Sequence, residues 1–367
     1  MTEVPNPARM KQDPAAGLDG IVAATTGLSA VDGQNGVLIL RGRKIEDLAG
    51  KVSFEQAVAH LWQDVEPIDA RTLALSLGEA RIAAFALVPV LEGAPDRLSV
   101  FERMQLGLAA LQPAKGAPEA VSIVGALSVF LAASHRISTG QRTLAPDSTL
   151  STCADILRML GGETPDGTHT DALDRYLVTI LDHGLNASTF TARVIGSTQA
   201  SLKQAVLGAM GALSGPLHGG APGPVLDMID AIGKPGNADG WIRQALARKE
   251  RLMGFGHRIY RTRDPRADVL KDGLRKLSRD SAKVQLAENI EAAALSALKS
   301  AKPDRPLDTN VEFYTAVLLD AIGIDRTLFT PLFATGRAAG WCAHVVEQQS
   351  TGKLIRPASH YAGPMPD

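Results

Sequence analysis

The stretch "SLKQAVLGAMGALSGPLHGGAPGPVLDMIDAI", residues 201–232, is the one on which the fold turns. Its first half reads with helical period and runs out into glycine. Pro222 and Pro224 then fall near the first turn of a second helix through "VLDMIDAI", where a missing N–H costs little. The loop between them, "GPLHGGAPG", holds a single histidine, His218. That side chain is a punctuation mark between helices, part of a phosphate cradle, or an imidazole held bare for chemistry. Beside a helix N-terminus the dipole disfavours the imidazolium, leaving a neutral ring able to donate one hydrogen bond to a developing oxyanion.

The same period governs most of the chain. Ser53 and Gln56 form a capping-box pattern before "AVAHLW", and helices fit residues 118–134, 170–182, 201–213, 241–250, 284–298, 311–322 and 328–348. The exception is "SAVDGQNGVLILRGR", residues 29–43, where Asp-Gly and Asn-Gly between short apolar runs predict a small hairpin. The chain is therefore expected to be all-α. Its first 20 residues, polar and dotted with proline, are expected to be loose.

Composition narrows the function. At 367 residues and 45% hydrophobic, the chain can bury a sizeable core, and a formal net charge of -1 supplies no field to attract nucleic acid or an anionic membrane. Cys153 and Cys342 stand alone in apolar stretches, which reads as buried thiols in a reducing compartment and gives no metal-ligand spacing. The N-terminus lacks an apolar signal core and the run "AVSIVGALSVFLAA" is short for a bilayer, so a cytoplasmic location is expected. Residues 234–309 are more charged than their flanks, suggesting a smaller, more solvated lobe beside a larger helical body. Clefts between lobes favour small-molecule sites, and His218 falls near this junction.

The sequence has no GxxxxGK[ST], no GxGxxG after a strand, no GxSxG and no HExxH, which removes the main support for nucleotide, serine-hydrolase and zinc-protease readings. What remains is a set of loop histidines, an acid and arginines. "GFGHRIYRTRDPRADV" places His257 behind Gly254 and Gly256, with Arg258, Arg261, Arg263 and Arg266 following; the glycines allow close backbone approach to a ligand beside guanidiniums suited to carboxylates or phosphates. A solvated basic face is the ordinary alternative. Asn310 reads as an N-cap that puts Glu312 in a first helical turn, where it serves helix electrostatics or acts as a general base. Arg337 is the only unambiguous charge between Thr327 and Val346 and shares a face with Phe333 and Trp341, so it needs a structural carboxylate or a bound anion. His183 follows Asp182 in "LDHGLNAST", and Arg356 sits before Pro357 in an extended C-terminal segment. Together these groups suit carbanion chemistry on a dianionic keto acid.

At this point the sequence resembles the citrate synthase family from about residue 18 almost to the end. "GPLHGG", "GFGHRIY...DPRA", "NVEFY", "GRAAGW" and "LIRP" occur in the family's order and spacing. The resemblance implies a homodimer of two-domain helical subunits, with residues 1–219 and 324–367 forming the large domain and 220–323 the small one. It implies condensation of acetyl-CoA with oxaloacetate and hydrolysis of citryl-CoA, with acetyl-CoA as cosubstrate and no other cofactor or metal. His218 would bond the thioester oxygen, Glu312 would remove the methyl proton, and His257 would polarise and protonate the ketone. His183, Arg266 and Arg337 would hold oxaloacetate, Arg356 would reach in from the partner subunit, and Arg261 would contact CoA. The chain departs from the common pattern at Glu312, where aspartate is more familiar, and in "APGP" after the His218 loop. Ile180 stands where some relatives carry histidine, and the "HPM" element is missing. 2-Methylcitrate synthase, citryl-CoA cleavage and a paralogue retained for regulation or partner binding are the alternatives.

Overall fold

A computed structural model describes residues 17, 18, 20–113, 116–219, 222–277, 282–303, 307–359, 361 and 363–366. The expectation for residues 1–20 falls almost wholly outside them. The chain is all-α, with one small sheet. In that sheet β1 (Ser29–Asp32) pairs antiparallel with β2 (Val37–Leu40), Asp32 opposite Val37, and β2 pairs with the two-residue β3 (Arg43–Lys44). Asp32 accepts from the backbone N–H groups of Gln34 and Asn35 at 3.0 Å, which closes the turn that Asp-Gly and Asn-Gly predict.

Fifteen helices follow, counted among the described residues. The first seven are α1 (Phe54–Leu61), α2 (Ala70–Phe85), α3 (Val88–Glu92), α4 (Val100–Ala110), α5 (Glu119–Ser138), α6 (Thr152–Gly161) and α7 (Gly167–Ile180). Then come α8 (Ala187–Gly196), α9 (Leu202–Leu213), α10 (Pro222–Ile232), α11 (Ala238–Ala247), α12 (Pro265–Leu277), α13 (Ala282–Ala301), α14 (Val311–Ala321) and α15 (Phe329–Thr351). The capping box at Ser53 and Gln56 is formed on both sides, and Pro222 opens α10 as its sequence requires.

The core is centred on α5, whose residues 120–134 are all buried between α2, α4, α6 and α15. By length and composition this helix could cross a bilayer, a correction to the shorter run read from sequence; here 83% of its apolar window lies inside the protein. Helices α10 to α14 pack chiefly on one another, and α12 joins them to the rest by resting on α7. Much of the charge in this region is paired internally: Glu291, 4% exposed, meets both Arg263 and Lys271 at 2.9 and 2.6 Å and accepts from Tyr314 Oη at 2.6 Å. The solvated basic face that is the ordinary alternative for this segment is only partly present.

Candidate active site

Segments distant in sequence meet around His183, His218 and His257. His218 and His257 each accept a backbone N–H on one ring nitrogen, which fixes where the proton sits. His218 Nε2 lies 2.9 Å from Ser188 Oγ and accepts from the Ser188 backbone N–H at 3.3 Å. Its neutral ring therefore carries the proton on Nδ1, which has no partner among the described residues. Ser188 is itself held by Asn186, the N-cap of α8, at 2.9 Å and by Trp341 Nε1 at 3.2 Å. His257 has the opposite tautomer: Nδ1 accepts from the N–H groups of Ile259 and Tyr260 at 3.0 and 3.2 Å, leaving the proton on Nε2. His183 is 6% exposed, bonded through Nε2 to Tyr260 Oη at 3.1 Å, with its ring 5.6 Å from that of His257.

All three rings are held uncharged. Loss of water and the positive charge of Arg337 bring His218 down to about 4; loss of water and Arg266 do the same for His257, against a smaller opposing effect of Asp264. Burial pushes His183 well below the usual range, with Arg266, Arg337 and His257 adding to it. The neutral state expected for His218 is present, but burial and Arg337 account for it where the sequence suggested a helix dipole.

Glu312 enters from the first turn of α14, where the Asn310 side chain caps its N–H at 3.0 Å. Burial raises it to about 7, because the nearby cations of Arg266 and Arg337 offset only part of the lost hydration and Asp264 opposes them. Arg266 and Asp264 form a two-bond pair at 3.0 and 2.8 Å, and Asp264 also accepts from the N–H of Val311 at 3.1 Å, tying α12 to α14. Arg337 is 1% exposed and has no carboxylate within 4 Å among the described residues; its Nε donates to the carbonyl of Ile180 and its charge lies 4.6 Å from the Phe333 ring centre. Its sequence setting asks for a structural carboxylate or a bound anion; Asp182 acts on it from beyond contact distance, ahead of Glu312.

The loop carrying His257 is shaped by contacts that the sequence does not announce. Gly254 and Gly256 both have φ of +82°, and a Cβ on them would lie 2.8 Å from Phe313 and 2.9 Å from Leu307. These glycines bring the loop against α14 and its preceding segment. The β1–β2 turn presses on the other side: Gly33 accepts from the N–H of Arg261 at 2.8 Å, and a Cβ at Gly33 would sit 2.3 Å from the Ile259 carbonyl oxygen. Arg261 is exposed at this edge. Arg356 is exposed too, but lines a different feature, a groove of about 670 Å³ shared with Thr25, Arg193, Glu347 and Leu354. It makes no bond to the histidine cluster of its own chain.

Behind His183, Asp182 is fully buried yet stays below the usual carboxylate range despite burial, through His344, Arg337 and Ser29. His344 Nε2 is 3.2 Å from both Asp182 oxygens and its Nδ1 faces Arg193 at 2.9 Å; Ser29 Oγ bonds Asp182 and takes the N–H of Gly184 at 3.0 Å. Sequence reading missed Ser29, Ser188, Tyr260 and Asp264. Among the described residues no group of three or more His, Cys, Asp or Glu could hold a metal ion.

Neutral imidazoles, two of them with fixed tautomers, a carboxyl poised near neutrality and a buried cation with no carboxylate in contact among the described residues define an acid–base site for a small anionic reactant on a helical scaffold. Comparison with known proteins carries this further. Residues 17–358 match a family model described as citrate synthase, C-terminal domain. The chain is 40% identical over 359 residues to a putative citrate synthase 2 of Mycobacterium tuberculosis, covering 95% of this chain and 93% of that protein. A 2-methylcitrate synthase of the same species is 36% identical over 366 residues, covering 96% and 91%. A citrate synthase from Thermoplasma acidophilum, solved in ternary complex with carboxymethyl coenzyme A and oxaloacetate, superposes with a TM-score of 0.85 at 25% identity, with 96% of each chain covered. The chain belongs to the citrate synthase family.

Proposed function

We propose that the protein joins acetyl-CoA to oxaloacetate and hydrolyses the citryl-CoA formed, as a citrate synthase of the acyltransferase class. The observation that carries this reading is the pair of opposed tautomers, His218 protonated on Nδ1 and His257 on Nε2, beside a carboxyl raised to about 7. Glu312 takes a proton from the thioester methyl while His218 Nδ1–H donates to the oxygen that becomes enolate. The enol carbon then bonds to the keto carbon of oxaloacetate as His257 Nε2–H gives its proton to the former ketone oxygen. Water adds to the thioester and CoA leaves as the thiol. A carboxylate is a feeble base toward such a methyl group, so both halves are needed: an aimed donor contributes ~100- to 1000-fold and a positioned base ~100- to 10,000-fold.

His183, Arg266 and Arg337 are assigned to oxaloacetate and Arg261 to CoA. Arg337, lacking a carboxylate of its own, suits a substrate carboxylate best; Arg266 is already paired with Asp264 and offers only its remaining donors. Residues 220–323 are assigned as a small domain closing on the rest, which would exclude water during condensation. The assembly is read as a homodimer with Arg356 serving the partner's site, in the cytoplasm, without metal or further cofactor. The likeness to a 2-methylcitrate synthase keeps propionyl-CoA as the second reading. The test is to mix the purified protein with oxaloacetate and either acetyl-CoA or propionyl-CoA and follow free thiol. Faster release with acetyl-CoA is expected; faster release with propionyl-CoA selects the second reading, and no release with either overturns both.

A further inference from the structure

The roles assigned above leave unused a buried knot of polar groups behind His183. The guanidinium of Arg193 can only donate, so His344 Nδ1, 2.9 Å from it, is an acceptor and the His344 proton lies on Nε2. That proton faces both oxygens of Asp182 at 3.2 Å. Asp182 is thus an ionised acceptor, and the Ser29 hydroxyl gives it its one proton. The lone pairs left on Ser29 Oγ take the N–H of Gly184 at 3.0 Å. One oxygen of β1 therefore holds the residues on both sides of His183, the side chain of the one before it and the backbone of the one after it. Gly184, with φ of +60°, lies against the same strand: a Cβ there would stand 3.5 Å from Val31, two residues beyond Ser29. The turn of this hairpin also meets the loop of the neighbouring histidine, because the Gly33 carbonyl accepts from the N–H of Arg261 at 2.8 Å. The hairpin thus contacts both of the loops whose rings, His183 and His257, stand 5.6 Å apart.

We propose that Ser29 is a positioning residue for His183, its hydroxyl clamping residues 182 and 184 to β1 and so setting where the imidazole meets oxaloacetate. This rests on the reading of His183 as an oxaloacetate ligand. A glycine directly after the histidine gives the loop backbone freedom, which the clamp removes. A binding group displaced by about 1 Å loses much of its effect, up to ~100-fold. Taking away the hydroxyl leaves His344 in place, so Asp182 keeps a donor and what is lost is the tether between it and Gly184.

The experiment compares Ser29→Ala with Ser29→Thr, which keeps the hydroxyl and suits a strand. In Ser29→Ala the KM for oxaloacetate is expected to rise about tenfold while the KM for the acyl-CoA stays within about twofold; in Ser29→Thr the oxaloacetate KM should return to within about threefold of the wild type. A serine that serves only the fold would lower the melting temperature and leave the ratio of the two KM values where it was, and that result overturns the proposal. Should Ser29→Ala not fold, Ser29→Cys, close in shape but a weak donor, is read in the same way. If the wild-type protein releases no CoA, the functional reading has failed, and the clamp is read separately from the nitrogen-15 NMR signals of the His183 ring, assigned with His183→Gln. Signals that move in Ser29→Ala and return in Ser29→Thr support the clamp; signals unmoved in Ser29→Ala overturn it.

Discussion

Glu312 is pulled two ways by its surroundings. Raised from 4.5 to about 7, it is favoured uncharged in the folded protein, so its contribution to stability is complete below the ordinary glutamate range and is lost as pH rises through 7. Proton abstraction needs the charged form, so activity rises over the same interval in which this contribution disappears. Glu312→Gln fixes the side chain neutral: turnover should fall ~100- to 10,000-fold with oxaloacetate affinity by calorimetry unchanged, and its melting temperature should gain on the wild type between pH 5 and pH 8. A melting difference that is constant with pH would show that Glu312 is not perturbed. At this scale the sequence was informative where chemistry interrupts a pattern. His218 and His257 stand among glycines and Arg337 interrupts an apolar run, and the fold gathers the three around His183. Ser188 breaks no pattern; its relevance comes from partners brought by folding, such as Trp341, 153 residues away.

Among the elements, the hairpin has the largest effect for its size. Its turn carries no catalytic group, yet Gly33 leaves no room for a side chain against Ile259, two residues beyond His257. Gly33→Ala should displace the His257 loop and lower turnover about 100-fold, the usual cost of a shift near 1 Å, while helical circular dichroism stays as in the wild type. Unchanged turnover would mean that the loop is set by α14 alone. The helices expected from period were present with boundaries off by a few residues, but α2, α4, α6 and α8 were not expected, although Asp69, Ser99, Ser151 and Asn186 cap them. Helix α12 was not, because "PRADVLKDGLRKL" reads as a charge run; it is helical because Leu270 and Leu274 face inward and its basic side chains find partners in Asp264, Glu288 and Glu291. Contacts of this kind join residues far apart in the chain, and no local spacing encodes them.

For the molecule as a whole, the separation of Arg356 from the histidines of its own chain is what the shared-site proposal explains. Arg356→Ala and Glu312→Gln should each be nearly inactive alone. Mixed and allowed to exchange subunits, they should recover about a quarter of wild-type activity, because half of random dimers are mixed and one of their two sites is whole. No recovery despite exchange would place Arg356 outside the chemistry. Arg337 has a wider consequence. A guanidinium sealed from water with no carboxylate in contact, offset only from longer range by Asp182 and Glu312, is a burden on the empty protein that an arriving dianion lightens, so the liganded state gains stability beyond that of new contacts alone. A chain built this way opens most readily, and offers itself most readily to proteases, when its keto acid is scarce, which makes metabolite supply a determinant of how long each copy lasts.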